Sequence, residues 1–109
     1  MTTYLLVIRA PADYQPSPEM AAEWCAWQHS LGASLRDRGN PVFRAETAGP
    51  TPADTVLGGY SLVRAVDVDA AVALAKGCPG LDAGMSVEVG EVTSLDDSFD
   101  AWVAEHTHG

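Results

Sequence analysis

The stretch Gly58-Gly59-Tyr60-Ser61-Leu62-Val63, followed by Asp67-Val68-Asp69-Ala70-Ala71, Gly77-Cys78-Pro79-Gly80 and Ser86-Val87-Glu88-Val89, decides the fold. It reads as strand, capped helix, tight exit and strand. Leu57 to Ala65 has the β-rich apolar pattern of a strand. The Gly58-Gly59 pair is more than a turn needs and marks a bulge or a close backbone approach. Asp67 caps a helix over Val68 to Lys76, and Asp69 adds favourable charge to its first turn. Gly77 ends that helix, Pro79 keeps it from resuming, and Met85 to Val92 forms the next strand.

Working outward, Thr3 to Arg9 is a buried strand centred on Leu5-Leu6-Val7-Ile8, broken by a loop with Pro11 and Pro16. Ser17-Pro18-Glu19 opens a helix with a good N-cap, a proline at its first position and an acid at the positive end of the dipole. Met20, Trp24, Trp27, Leu31 and Leu35 recur at helical spacing, which carries the helix to about Arg38. Gly39 then reads as its C-cap, and Val42 to Thr47 as the second strand. Ala48 to Asp54 is the most loop-like segment. Asp96 or Asp97 starts a short C-terminal helix with Phe99, Trp102 and Val103 on one face, ahead of a frayed tail from His106 to Gly109.

The order is β-α-β-β-α-β plus a C-terminal helix. It predicts a single α+β domain over residues 1–109, ferredoxin-like, with a four-stranded antiparallel sheet and both main helices on one face. The other sheet face would be bare, and pairing two sheets into a homodimer covers it.

A resemblance supports this reading. Trp24-x-x-Trp27, Leu31-Gly32 and Gly39-Asn40-Pro41 in the first half, with Gly59-Tyr60-Ser61, Asp69-Ala70-Ala71, Ala75-Lys76-Gly77-Cys78-Pro79 and Glu88-Val89 in the second, resemble the YCII-related family, which includes the DGPF-type proteins. The resemblance implies a dimeric α+β barrel, and no particular reaction, because most members have none assigned. The Asp-Gly-Pro-Phe signature is absent, its place taken by Ala53-Asp54-Thr55-Val56. Some members carry a helix His paired with an Asp as an acid–base dyad. Gln28 stands at that position here, and His29 lies one residue on, a rotation of about 100° on a helix.

Composition excludes several classes. The net charge is -9, and after Lys76 there are seven carboxylates and no Lys or Arg. Nucleic acid and anionic membrane surfaces are therefore unsuited partners. No apolar run approaches the ~20 residues of a membrane span, and a cytoplasmic location is expected. Two cysteines, Cys25 and Cys78, are too few for a disulfide scaffold and read as small packed thiols. A reactive Cys78 would need a cation such as Lys76 beside it. No metal or cofactor is expected, because His106-x-His108 on a terminal tail falls short of a ligand set.

The candidate catalytic residues are His29, which titrates near neutral pH, and Asp69 as its partner carboxylate, with Glu88 as another candidate. The candidate binding residues are Trp27, Tyr60, Arg9, Arg44 and Arg64. An Arg offers a bidentate fork to an organic anion, and the aromatics offer apolar walls. The function expected is a small-molecule binding protein or cofactor-free acid–base enzyme acting on a small, possibly anionic, organic metabolite. The alternative is a non-catalytic accessory dimer that binds a protein partner, since DGPF-type relatives are often linked with sigma-factor regulation.

Overall fold

A computed structural model describes residues 1–50 and 54–107. Residues 51–53, within the expected loop, and His108 and Gly109 of the expected tail lie outside the described residues. The chain runs β1 (Thr2–Pro11), α1 (Pro18–Leu31), β2 (Leu35–Pro41), β3 (Thr55–Ala65), α2 (Val68–Ala75), β4 (Ser86–Glu91) and α3 (Asp97–His106). The four strands form one sheet in the order β2-β3-β1-β4, with every neighbouring pair antiparallel. This is the ferredoxin-like α+β arrangement.

The strand period of two puts the core on one face. Tyr4, Leu6, Ile8 and Ala10 of β1 and Ser61, Val63 and Ala65 of β3 are buried. Trp27 of α1 and Ala71 and Ala75 of α2 pack with Tyr4, Leu6, Val63 and Ala65, while Ile8 and Ala10 pack with Met85. The small side chains of α2 let that helix lie close to the sheet. Trp27 also donates its indole N–H to the Leu74 carbonyl, 3.3 Å away, and so ties the two helices together. The caps read from the sequence are formed: Ser17 Oγ accepts from Met20 N at 3.1 Å, and Asp67 Oδ1 accepts from Ala70 N at 2.8 Å. On the opposite face, Leu5, Val7 and Leu62 are only half-buried.

One segment differs from its sequence reading. The first helix ends at Leu31, and residues 35–41, expected as helix and cap, form β2. Residues 42–47, expected as the second strand, are irregular. The cause is Gly32, whose φ of 54° and ψ of -129° take the chain out of the helix. Leu35 continues the spacing of four, yet it pairs with Val63 across β2 and β3. Gly39 is no helix cap. It sits within β2 at φ 69°, so close to β3 that a Cβ there would run into the Tyr60 carbonyl oxygen. Asp37 Oδ1 accepts from the Gly39 N–H at 2.8 Å, in a stretch where the β2–β3 register is irregular. The other glycine pair behaves as its sequence suggests: the β1–β3 register slips between Ile8 and Arg9, opposite Gly58 and Gly59.

Cys78 is buried behind α2, and burial pushes its thiol pKa up, while N–H groups of Gly80 and Leu81 pull the other way. Burial does the same to the Tyr4 hydroxyl, with Glu91 and Asp67 adding to the effect. In the alkaline range the unfolded chain therefore releases protons that the folded chain keeps. Stability is full below the unfolded thiol range, near pH ~8.5, and falls as pH rises beyond it. Cys78→Ala should flatten the decline of melting temperature between about pH 8.5 and 10. Melting curves with the same slope in both proteins would refute this.

Candidate functional site

The large cleft of the domain, about 760 Å³, lies between α1 and the ends of β2 and β3, with the irregular segment 42–45 on its rim. Trp24 and Met20 of α1, Tyr14, Met85 and Phe43 supply apolar walls. Trp24 is itself held edge-on against Trp27, with ring centroids 5.3 Å apart.

The polar part of the cleft is one connected cluster. Ser61 is the buried polar residue in the apolar face of β3. Its hydroxyl donates to the Arg38 carbonyl at 2.8 Å and accepts from Gln28 Nε2 at 3.3 Å. Gln28 Nε2 also donates to the Arg38 carbonyl at 3.1 Å, and Gln28 Oε1 accepts from Arg38 Nε at 2.9 Å. The carboxamide thus grips both the backbone and the side chain of Arg38. Arg38 Nη2 lies 4.0 Å from Cys25 Sγ. These contacts use two of the five guanidinium N–H groups. At the rim, Asn40 Nδ2 donates to the Tyr60 hydroxyl at 2.9 Å, and Arg44 sits at φ 58°.

Among the described lining residues there are two arginines and no carboxylate. In a protein of net charge -9, this is a local concentration of positive charge in a mostly apolar cleft. The arrangement can hold an anion by a bidentate, positioned Arg and can flank a ring with aromatics.

Of the sequence candidates, the structure brings Tyr60 and Arg44 to the cleft. Arg44 comes from the irregular segment, whereas the sequence reading put it in a strand. Trp27 is buried in the core rather than at the cleft wall. His29 is exposed in the last turn of α1 and does not line the cleft. Asp69 is exposed in the first turn of α2, and Glu88 is exposed on β4. Arg9 and Arg64 alternate with buried neighbours, so they project from the face opposite the helices. Arg9 is engaged there, with Nε and Nη2 donating to Thr55 Oγ1 and O at 2.9 and 3.1 Å. Sequence reading missed Arg38, because it extended α1 through it. The signal was Gly32 ahead of Leu35. Gln28 stands where the resemblance would put a helix His, and the sequence reading gave it no role of its own.

No protein-family model matches the chain, and no curated protein does. A solved structure does. It is 5-chloro-2-hydroxyhydroquinone dehydrochlorinase (TftG) from Burkholderia phenoliruptrix AC1100, in complex with 2,5-dihydroxybenzoquinone. The TM-score is 0.56 at 19% identity, covering 84% of this chain and 93% of that one. At that identity the likeness shows a shared fold. No helix of the described residues is long and apolar enough to cross a membrane.

Proposed function

We propose that this protein is a YCII-type small-molecule binding protein whose cleft takes a small, planar organic anion. The observation that carries this reading is the Arg38–Gln28–Ser61 cluster at one side of an apolar cleft without a described carboxylate. Arg38 and Arg44 supply the charge, and Trp24 the ring contact. The solved neighbour holds a dihydroxybenzoquinone, an acidic planar ring of this kind. The cleft is open rather than filled, which favours a ligand over the accessory-protein alternative. For acid–base chemistry, the family resemblance puts Gln28 where some members carry a helix His. Gln28 accepts and donates hydrogen bonds without exchanging a proton, so binding and orientation are the roles the lining supports.

The test is calorimetric titration with 2,5-dihydroxybenzoquinone, against uncharged 1,4-benzoquinone as comparison. Saturable binding of the first that weakens with added salt is expected, because the attraction is ionic. Equal affinity for both would refute an anion site. His29→Ala should leave the affinity within about twofold, as expected for an exposed residue outside the cleft.

We also infer a homodimer formed by the two helix-free sheet faces, supported by half-buried Leu5, Val7 and Leu62 at their centre. Light scattering should give twice the chain mass of 11.5 kDa, and Val7→Arg should return the monomer. A wild-type monomer at micromolar concentration would contradict this.

A further inference from the structure

The segment after β4 has no use in the fold so far described. Leu95 is 82% exposed and Trp102 55% exposed. Phe99, Trp102 and His106 form a stacked ladder along one side of α3, with ring centroids 6.1 and 4.4 Å apart. Yet α3 makes no substantial packing contact with the rest of the described residues. The radius of gyration is 16.2 Å, against roughly 13 Å for a compact chain of this length. An arm that stands off accounts for the excess.

The arm carries Asp96, Asp97, Asp100 and Glu105 and no basic residue other than histidine. The edge on the other side of the sheet carries three arginines against the two carboxylates of Asp37 and Glu46. Arg36, Arg38 and Arg44 are half of the six Lys and Arg in the chain. Beside Arg44, Phe43 is 70% exposed on the cleft rim. Within one chain, α3 leaves from the β4 edge, while this basic rim adjoins β2, the opposite edge, three strand spacings of about 4.8 Å away.

We propose that α3 of each subunit docks on the cleft rim of a second copy of this chain. Its Phe99 and Trp102 face would cover the partner's Phe43, and its carboxylates would face the partner's Arg44. This rests on the homodimer reading and extends that interface from the sheets to the arms. The docked arm narrows the mouth of the partner's cleft, so each site is completed by the other subunit. An exposed aromatic ladder is thereby buried, and rim arginine meets carboxylate rather than water.

Two variants in a Cys25→Ser background test it: Ala45→Cys on the rim, and Val103→Cys, which flanks the aromatic ladder of α3, in isotopically heavy protein. They are mixed to exchange subunits, oxidised, and weighed by mass spectrometry, with light scattering on the same sample. A light–heavy disulfide between positions 45 and 103 is expected in the dimer, and Arg44→Glu in the light chain should cut its yield roughly threefold or more. A dimer without that disulfide overturns the arm exchange alone, whereas a monomer overturns the dimer reading on which it rests. A chain carrying both cysteines that closes the disulfide only within itself shows the arm folding over its own cleft, and also overturns it. An unchanged yield with Arg44→Glu overturns the charge pairing.

Discussion

Arg38→Ala should weaken binding of 2,5-dihydroxybenzoquinone by about 10- to 100-fold, since a hydrogen bond to a charged group is worth about 1.5–3 kcal/mol and each 1.4 kcal/mol is tenfold. The fold should be unaffected, because the Arg38 side chain is exposed and its carbonyl, which Ser61 and Gln28 use, remains. Arg38→Lys keeps the charge and loses both the fork and the bond to Gln28 Oε1, so it should recover only part of the affinity. Gln28→Leu should fall between the two. It leaves the guanidinium in place chemically but frees it to move, and it removes one partner of the Ser61 hydroxyl. Titration calorimetry on these variants gives the order directly. Equal affinities for wild type and Arg38→Ala would remove Arg38 from the site.

Gly39→Ala should be among the most destabilising single-methyl additions in the chain, at more than about 3 kcal/mol. The left-handed φ of 69° alone costs a non-glycine residue about 1–2 kcal/mol. The added Cβ must also displace the Tyr60 carbonyl, and with it the pairing of β2 and β3. Gly49 separates the two effects. Its φ is 85°, but no described residue lies within 4 Å of the Cβ position. Gly49→Ala should therefore cost only the conformational part, about 1–2 kcal/mol. Urea denaturation of both variants measures the difference. Equal losses would mean that the close approach of β2 to β3 carries no weight. Because Gly39 lies between Arg38 and Asn40, Gly39→Ala should also disturb the cleft wall at any temperature where the protein remains folded.

Much of the fold could be read from residue types because local signals agreed with the tertiary outcome. Ser17 and Asp67 announce helix starts that are capped as expected. The alternation through β1 and β3 announces which face is buried. The region 32–47 could not be read in the same way. Leu35 satisfies a helical spacing and a strand partner equally well, and only pairing with Val63 resolves it. Two glycines, Gly32 and Gly39, each look like a helix terminator, and the earlier one acts. The same ambiguity hid the Arg38–Gln28–Ser61 cluster. Arg38 reaches the cleft only because β2 begins at Leu35, and its grip by Gln28 spans ten positions that a continuous helix would have kept apart. His29 was singled out for its chemistry, yet Gln28 rather than its neighbour faces the cleft, since adjacent helix residues diverge by about 100°.

The most direct measurement on the binding cleft is an NMR titration of labelled protein with 2,5-dihydroxybenzoquinone, following the Gln28 side-chain amide and the Arg38 Nε–H. The predicted result is saturable movement of both signals, together with the Trp24 indole and the amides of residues 40–45, while Asp69 and Glu88 stay fixed. Shifts that gather around Asp69 and Glu88 and leave Gln28 and Arg38 unmoved at saturation would contradict the cleft as the binding site.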